Sequence, residues 1–165
     1  MAESFSFDVV SEFDRQELVN TLDQVKREIS QRYDLKGTDT LVDLDKENIF
    51  ITTNSELTLN AVNDIIRQKA IKRKLSLKIF DFGDIEIVSG NRVKQTILLK
   101  QGIKQEIAKK ISKIIREKIK KINVSINGET LRVSSKSKND LQLAIKLVSQ
   151  LEESLNIPLK ANNFR

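Results

Sequence analysis

The sequence predicts an α+β protein in which one βαββαβ unit is used twice. Three observations point to it. Two-residue alternation and helical periodicity follow one another in the order strand, helix, strand, strand, helix, strand, and that order then recurs. The stretch from Glu47 to Ser55 parallels the stretch from Glu129 to Ser137. Each is a strand ending in two hydroxyl residues that runs into a polar helix cap. Glycine (5) and proline (1) are scarce in the 165 residues, so regular structure fills most of the chain.

In the first unit, residues 4–10 alternate Phe5, Phe7, Val9 against Ser4, Ser6, Asp8, the pattern of a half-buried strand. Asp14 is the expected N-cap of a helix whose buried face is Leu18, Leu22, Val25 and Ile29. The segment 32–38 breaks that helix, and strands are expected at 40–44 and 48–53 around the polar turn 45–47. A second helix starts near Ser55, buries Leu59, Val62, Ile65 and Ile66, and reaches about residue 73, before a strand at 75–82. The second unit opens with a strand at 91–100. A helix over 104–121 follows, with Ile103, Ile107, Ile111, Ile114, Ile115 and Ile122 as its apolar set. Strands at 123–126 and 130–134 flank Asn127-Gly128, a type I′ hairpin signal because both central residues of that turn need positive φ. A helix from about residue 139 buries Leu141, Ile145, Val148 and Leu151, and a last strand is expected at 157–160. A βαββαβ order closes naturally as a ferredoxin-like sandwich, with two helices on one face of a four-stranded antiparallel sheet.

Composition excludes several kinds of chemistry. The absence of cysteine removes disulfides and thiolate metal sites, and the absence of histidine removes the usual general base and commonest metal ligand. The glycines never fall at phosphate-loop or dinucleotide-loop spacing. Asp43 and Asp45 lie by a turn without further converging ligands, so they read as solvated surface. No enzyme, no cofactor and no metal ion is expected. No secretory signal is visible at the start and no apolar run is long enough to span a bilayer, which predicts a cytoplasmic protein without a membrane partner.

Charge is uneven. Residues 1–48 carry 12 acidic and 6 basic side chains, so the remainder of this +6 chain carries +12. Within 104–121 there are Lys104, Lys109, Lys110, Lys113, Arg116, Lys118, Lys120 and Lys121 against Glu106 and Glu117. With the isoleucines packed on a sheet, these cations form a basic stripe that attracts phosphate without reading sequence. A plainly solvated helix exterior is the alternative. Arg132 and Ser134 are expected on the open sheet face, since Leu131 and Val133 take the core side. Lys136 sits in the polar lead-in to the next helix, whose free N–H groups favour anions. Phe50, between Ile49 and Ile51, is the candidate for stacking on a base, with Arg132 as its counterpart in the repeat.

These residues resemble the YajQ family of bacterial proteins along essentially the whole chain. The matching segments are Ser6-Phe7-Asp8-Val9-Val10-Ser11-Glu12, Arg32-Tyr33-Asp34-Leu35-Lys36-Gly37-Thr38, Lys100-Gln101-Gly102-Ile103, Ala108-Lys109-Lys110-Ile111, Leu131-Arg132-Val133-Ser134-Ser135-Lys136 and Asn163-Phe164-Arg165. The resemblance implies two tandem ferredoxin-like, RRM-like domains that exchange their N-terminal strands. Residues 11–100 would make one domain, with 91–100 completing its sheet, and 1–10 with 101–165 the other. It also implies a nucleotide-binding or signalling role, with purine nucleotides, cyclic di-GMP and RNA such as tRNA as ligands. The candidate nucleotide-binding residues are Lys109, Lys110, Lys113, Arg116, Arg132, Ser134, Lys136, Lys100 and Phe50. The competing expectation is a protein-interaction adaptor whose basic helix docks an acidic partner. A monomer or weak oligomer is expected.

Overall fold

A computed structural model describes residues 4–165. Residues 1–3 of the expected segment 1–10 lie outside the described residues. In chain order the elements are β1 (Phe5–Val10), α1 (Arg15–Gln31), β2 (Leu41–Leu44), β3 (Asn48–Thr53), α2 (Glu56–Lys72), β4 (Phe80–Val88), β5 (Arg92–Leu99), α3 (Gln105–Lys118), β6 (Asn123–Asn127), β7 (Thr130–Ser135), α4 (Lys138–Leu155) and β8 (Lys160–Asn162). The chain divides into a central unit, Phe13–Lys100, and a terminal unit made of the stretch up to Glu12 together with Gln101–Arg165.

Each unit is a ferredoxin-like sandwich with a four-stranded antiparallel sheet. The orders are β2-β3-β5-β4 in the central unit and β6-β7-β1-β8 in the terminal one. The strand that opens each repeat in sequence therefore sits in the other repeat's sheet. Loop closure explains where β5 goes. Only Ser89–Asn91 separates it from β4, so pairing as a hairpin costs little chain entropy. The second sheet then takes its inner strand from β1, where Phe7 and Val9 are 0% exposed.

Local chemistry starts the helices where expected. The Asp14 side chain accepts from the N–H groups of Gln16 and Glu17, Ser55 from that of Thr58, and Ser137 from that of Asp140. On the buried face of the central unit, Leu18, Leu22 and Val25 meet Ile49 and Ile51 of the sheet. In the terminal unit, Phe7 and Val9 join Ile111, Ile115, Leu131 and Val133. Each such side chain contributes roughly 1.5–3 kcal/mol when removed from water.

Three elements and one turn differ clearly from expectation. The strand expected at 75–82 is β4, Phe80–Val88, because Ser76 caps a 3-10 turn over Leu77–Ile79. The alternation in β4 is interrupted by a bulge between Phe82 and Ile85, where a Cβ on Gly83 would lie 2.6 Å from the Thr96 carbonyl oxygen. The Gln95 amide donates to the Gly83 carbonyl and accepts from Asn63 of α2, so the bulge is tied into the core. The helix expected over 104–121 is shorter, since Ile119 turns extended and buries its own side chain. Ile122, counted on that helix's apolar face, follows it. The last strand is Lys160–Asn162 rather than 157–160, because α4 continues to Leu155 and ends on left-handed Asn156. In the hairpin of β6 and β7, Asn127 pairs with Thr130, so the two central residues are Gly128 and Glu129. Only Gly128 has positive φ (60°), which is the φ pattern of a type II′ turn rather than type I′.

The C-terminal residues continue the terminal sheet. Asn162 pairs with Asp8, left-handed Asn163 is the extra residue, and Arg165 then exchanges both backbone hydrogen bonds with Ser6 at 2.9 and 3.1 Å. Phe164 lies against Phe7, with ring centroids 5.9 Å apart.

Candidate functional site

The positive charge belongs to the terminal unit, whose sequence has 14 basic and 9 acidic residues, against 15 and 14 in the central unit. Within it, α3 is oriented by burial of Ala108, Ile111, Ser112 and Ile115, at the spacing of one helix face. Ile107 and Ile114, expected on that face, are only partly buried, so the helix is rotated relative to the isoleucine pattern. Lys109, Lys110, Lys113, Arg116 and Lys118 are all exposed.

Three of these cations fall into one row. Lys109, Lys113 and Arg116, at helical neighbour spacing, line an open groove of about 360 Å³ between α3 and β6, with Ser112, Glu117 and Ile126 as further walls. The Arg116 guanidinium donates to the Val124 carbonyl at 2.5 Å. That bond occupies part of the outer edge of β6, which is the end strand of its sheet, and holds the guanidinium in the groove. Among the described residues, Lys109 and Lys113 have no carboxylate within ion-pair distance. Among the described residues, Glu117 is the one acid that lines the groove. An anion placed there meets two unneutralised ammonium groups and a partly engaged guanidinium, an arrangement suited to a phosphate group.

The other candidates lie elsewhere. Lys110 is on the same helix but outside the groove lining. Lys136 lines a different cavity of about 410 Å³ at the start of α4, with Lys120, Lys121, Asn123, Ser135 and Ser137. Arg132 is on the opposite face of the sheet from α3, because Leu131 and Val133 turn toward the helices. It forms an ion pair with Asp8 on the adjoining strand at 3.1 Å, the two side chains being 30% and 19% exposed. Asn163 donates to the same carboxylate at 2.9 Å. Arg132 thus cannot join the α3 row on one phosphate, and its charge is already met. Ser134 stands on that open face between Ser6 and Asn123. Phe50 and Lys100 belong to the central unit: Phe50 lies on its open sheet face with the Lys94 ammonium 5.2 Å from the ring centroid, and the Lys100 N–H bonds the Ile79 carbonyl at 2.7 Å. The groove residues not foreseen are Ser112, Glu117 and Ile126. The signal for Ser112 was its place one turn after Ala108.

Two ferredoxin-like units, one holding most of the excess positive charge along a helix and its neighbouring sheet edge, define an α+β protein with an electropositive groove. The chain belongs to the YajQ-like nucleotide-binding protein family, whose model matches residues 5–165. It is similar over all 165 residues, and over the full length of each relative, to bacterial proteins named as nucleotide-binding proteins. One from Prochlorococcus marinus strain MIT 9301 is 92% identical, one from strain MIT 9515 of the same species is 80% identical, and one from Synechococcus sp. strain CC9605 is 56% identical. Among the described residues, no helix is long and apolar enough to cross a membrane.

Proposed function

We propose that this chain is a nucleotide-binding protein, not an enzyme, and that it holds the ligand's phosphate in the α3–β6 groove on Lys109, Lys113 and Arg116. The observation that carries this reading is the convergence of those three cations on one open groove, the lysines having no neutralising ion pair among the described residues. The names of the relatives support nucleotide as the ligand class. The base then lies outward along the groove, where Ile126 at 38% exposure supplies an apolar contact. The ligand is a purine nucleotide, cyclic di-GMP or an RNA, and binding serves recognition or signalling rather than turnover.

The test is a series of thermal melts with ATP, GTP, cyclic di-GMP and tRNA at two salt concentrations. A ligand at a hundred times its dissociation constant stabilises the folded state by about 2.7 kcal/mol. At least one of the four therefore raises the melting temperature, and the rise shrinks at the higher salt. No rise with any of them would overturn the reading.

A further inference from the structure

The central unit has a groove in the corresponding place. Its first helix, α1, buries Leu18, Thr21, Leu22 and Val25 at the same spacing as Ala108, Ile111, Ser112 and Ile115 of α3. In that alignment Lys26 stands where Arg116 does. On the neighbouring end strands, Val42 stands where Val124 does, and both are 5% exposed. What differs is the connection from helix to strand. Ile119 to Ile122 suffices in the terminal unit, whereas the central unit uses the longer loop 32–40.

That loop walls the groove and enlarges it to about 560 Å³, against about 360 Å³ in the terminal unit. Its lining is mixed. Ile29, Leu35 and Val42 are apolar, Lys26 and Lys36 are cationic, and Asp43 is acidic. Among the described residues, none of those three charged groups has an ion-pair partner. The loop is held in shape before any ligand arrives. Arg32 grips Asp34 through bonds of 3.0 and 2.8 Å, which lower the Asp34 carboxyl from its ordinary value. The hydroxyls of Thr38, Thr40 and Thr53 form a chain at 2.7 and 2.9 Å, and Arg92 donates to the carbonyls of Thr38 and Asp39. Gly37 adopts φ +76°, and a Cβ there would be strained by the backbone rather than by any neighbour.

We propose that the α1–β2 groove of the central unit is a second ligand site, taking a small organic anion that carries a flat ring. Lys26 and Lys36 meet the anionic group. Ile29, half-buried at the groove, lies against the ring, with the buried Leu35 and Val42 as the floor beneath it. A bare phosphate would leave the apolar wall unused. The volume falls in the range of small-molecule sites, roughly 300–1,000 Å³, and the fixed loop reduces the ordering cost of binding.

The test is backbone amide NMR of the full chain, titrated with guanosine monophosphate and separately with inorganic phosphate. The amides of Ser30, Gly37 and Val42 are expected to shift saturably with the nucleotide and not with phosphate at the same concentration. In K26E/K36E, changed at two exposed positions, that saturation requires at least tenfold more nucleotide. In K109E/K113E it is unchanged. No saturable shift at these amides, an unaltered curve in K26E/K36E, or equal saturation by phosphate would each overturn the second site. Shifts at Ser112 and Ile126 report the α3–β6 groove separately, so failure of one site is read independently of the other.

Discussion

The double variant K109E/K113E binds nucleotide in the α3–β6 groove roughly thirtyfold more weakly than the unaltered chain. The two ammonium groups converge on the α3–β6 groove and, among the described residues, have no carboxylate partner, so their charge is available to the phosphate. Hydrogen bonds to charged groups are worth about 1.5–3 kcal/mol each where water is excluded. The groove is open and both lysines are exposed, which reduces that to on the order of 1 kcal/mol apiece. The sum of about 2 kcal/mol is the thirtyfold change. K110E supplies the internal control: it reverses the same charge on the same helix, but at a position outside the groove lining. It should weaken binding by less than about threefold, through the general field alone. Equilibrium titration of the three proteins, read at the Ser112 and Ile126 amides of that groove, checks both numbers. Equal losses in K110E and K109E/K113E would mean that only the net charge of the helix matters. Since all three lysines are exposed, their melting temperatures without ligand should differ little.

Phe7→Ala destabilises the terminal unit by about 3–5 kcal/mol, the usual cost of emptying an aromatic core position. Phe7 is 0% exposed, sits on an inner strand between β7 and β8, and packs with Ile111, Ile115 and Val133. Against a stability of roughly 5–15 kcal/mol for a typical domain, this is a large fraction. Native-state hydrogen exchange locates the effect. Protection falls at Ile111 and Val133 and stays at Ile49 and Ile97 of the central sheet. The reverse pattern would contradict the placement of β1 beside β7 and β8, although β1 precedes the central unit in the chain.

Much of the architecture was legible because it is written in local chemistry. Asp14, Ser55 and Ser137 each accept backbone N–H groups at a helix start, as short polar side chains before an apolar periodic run do. The duplicated segments Glu47–Ser55 and Glu129–Ser137 fall on matching strands and caps. Illegible features depend on geometry that only the folded backbone sets. The bulge at Gly83 breaks the alternation that would have marked β4. The extended Ile119 shortens α3 and removes Lys120 and Lys121 from the stripe, placing them at another cavity with Lys136. Rotation of α3 by Ala108 and Ser112 decides that Lys109 and Lys113 share a groove that Lys110 does not line. The partner of Arg132 could not be read from its neighbours, since Asp8 lies 124 residues away in sequence and reaches it only through the exchanged strand. Alternation placed Arg132 on the open face correctly but left its charge apparently available.

The most direct measurement is a lysine footprint: acetylation rates at each lysine, read by mass spectrometry with and without saturating nucleotide. Occupation of the α3–β6 groove protects Lys109 and Lys113, while Lys110 and Lys118, on the same helix, react at their unliganded rates. Uniform slowing along α3, or protection that spares Lys109 and Lys113, would contradict a phosphate held in that groove.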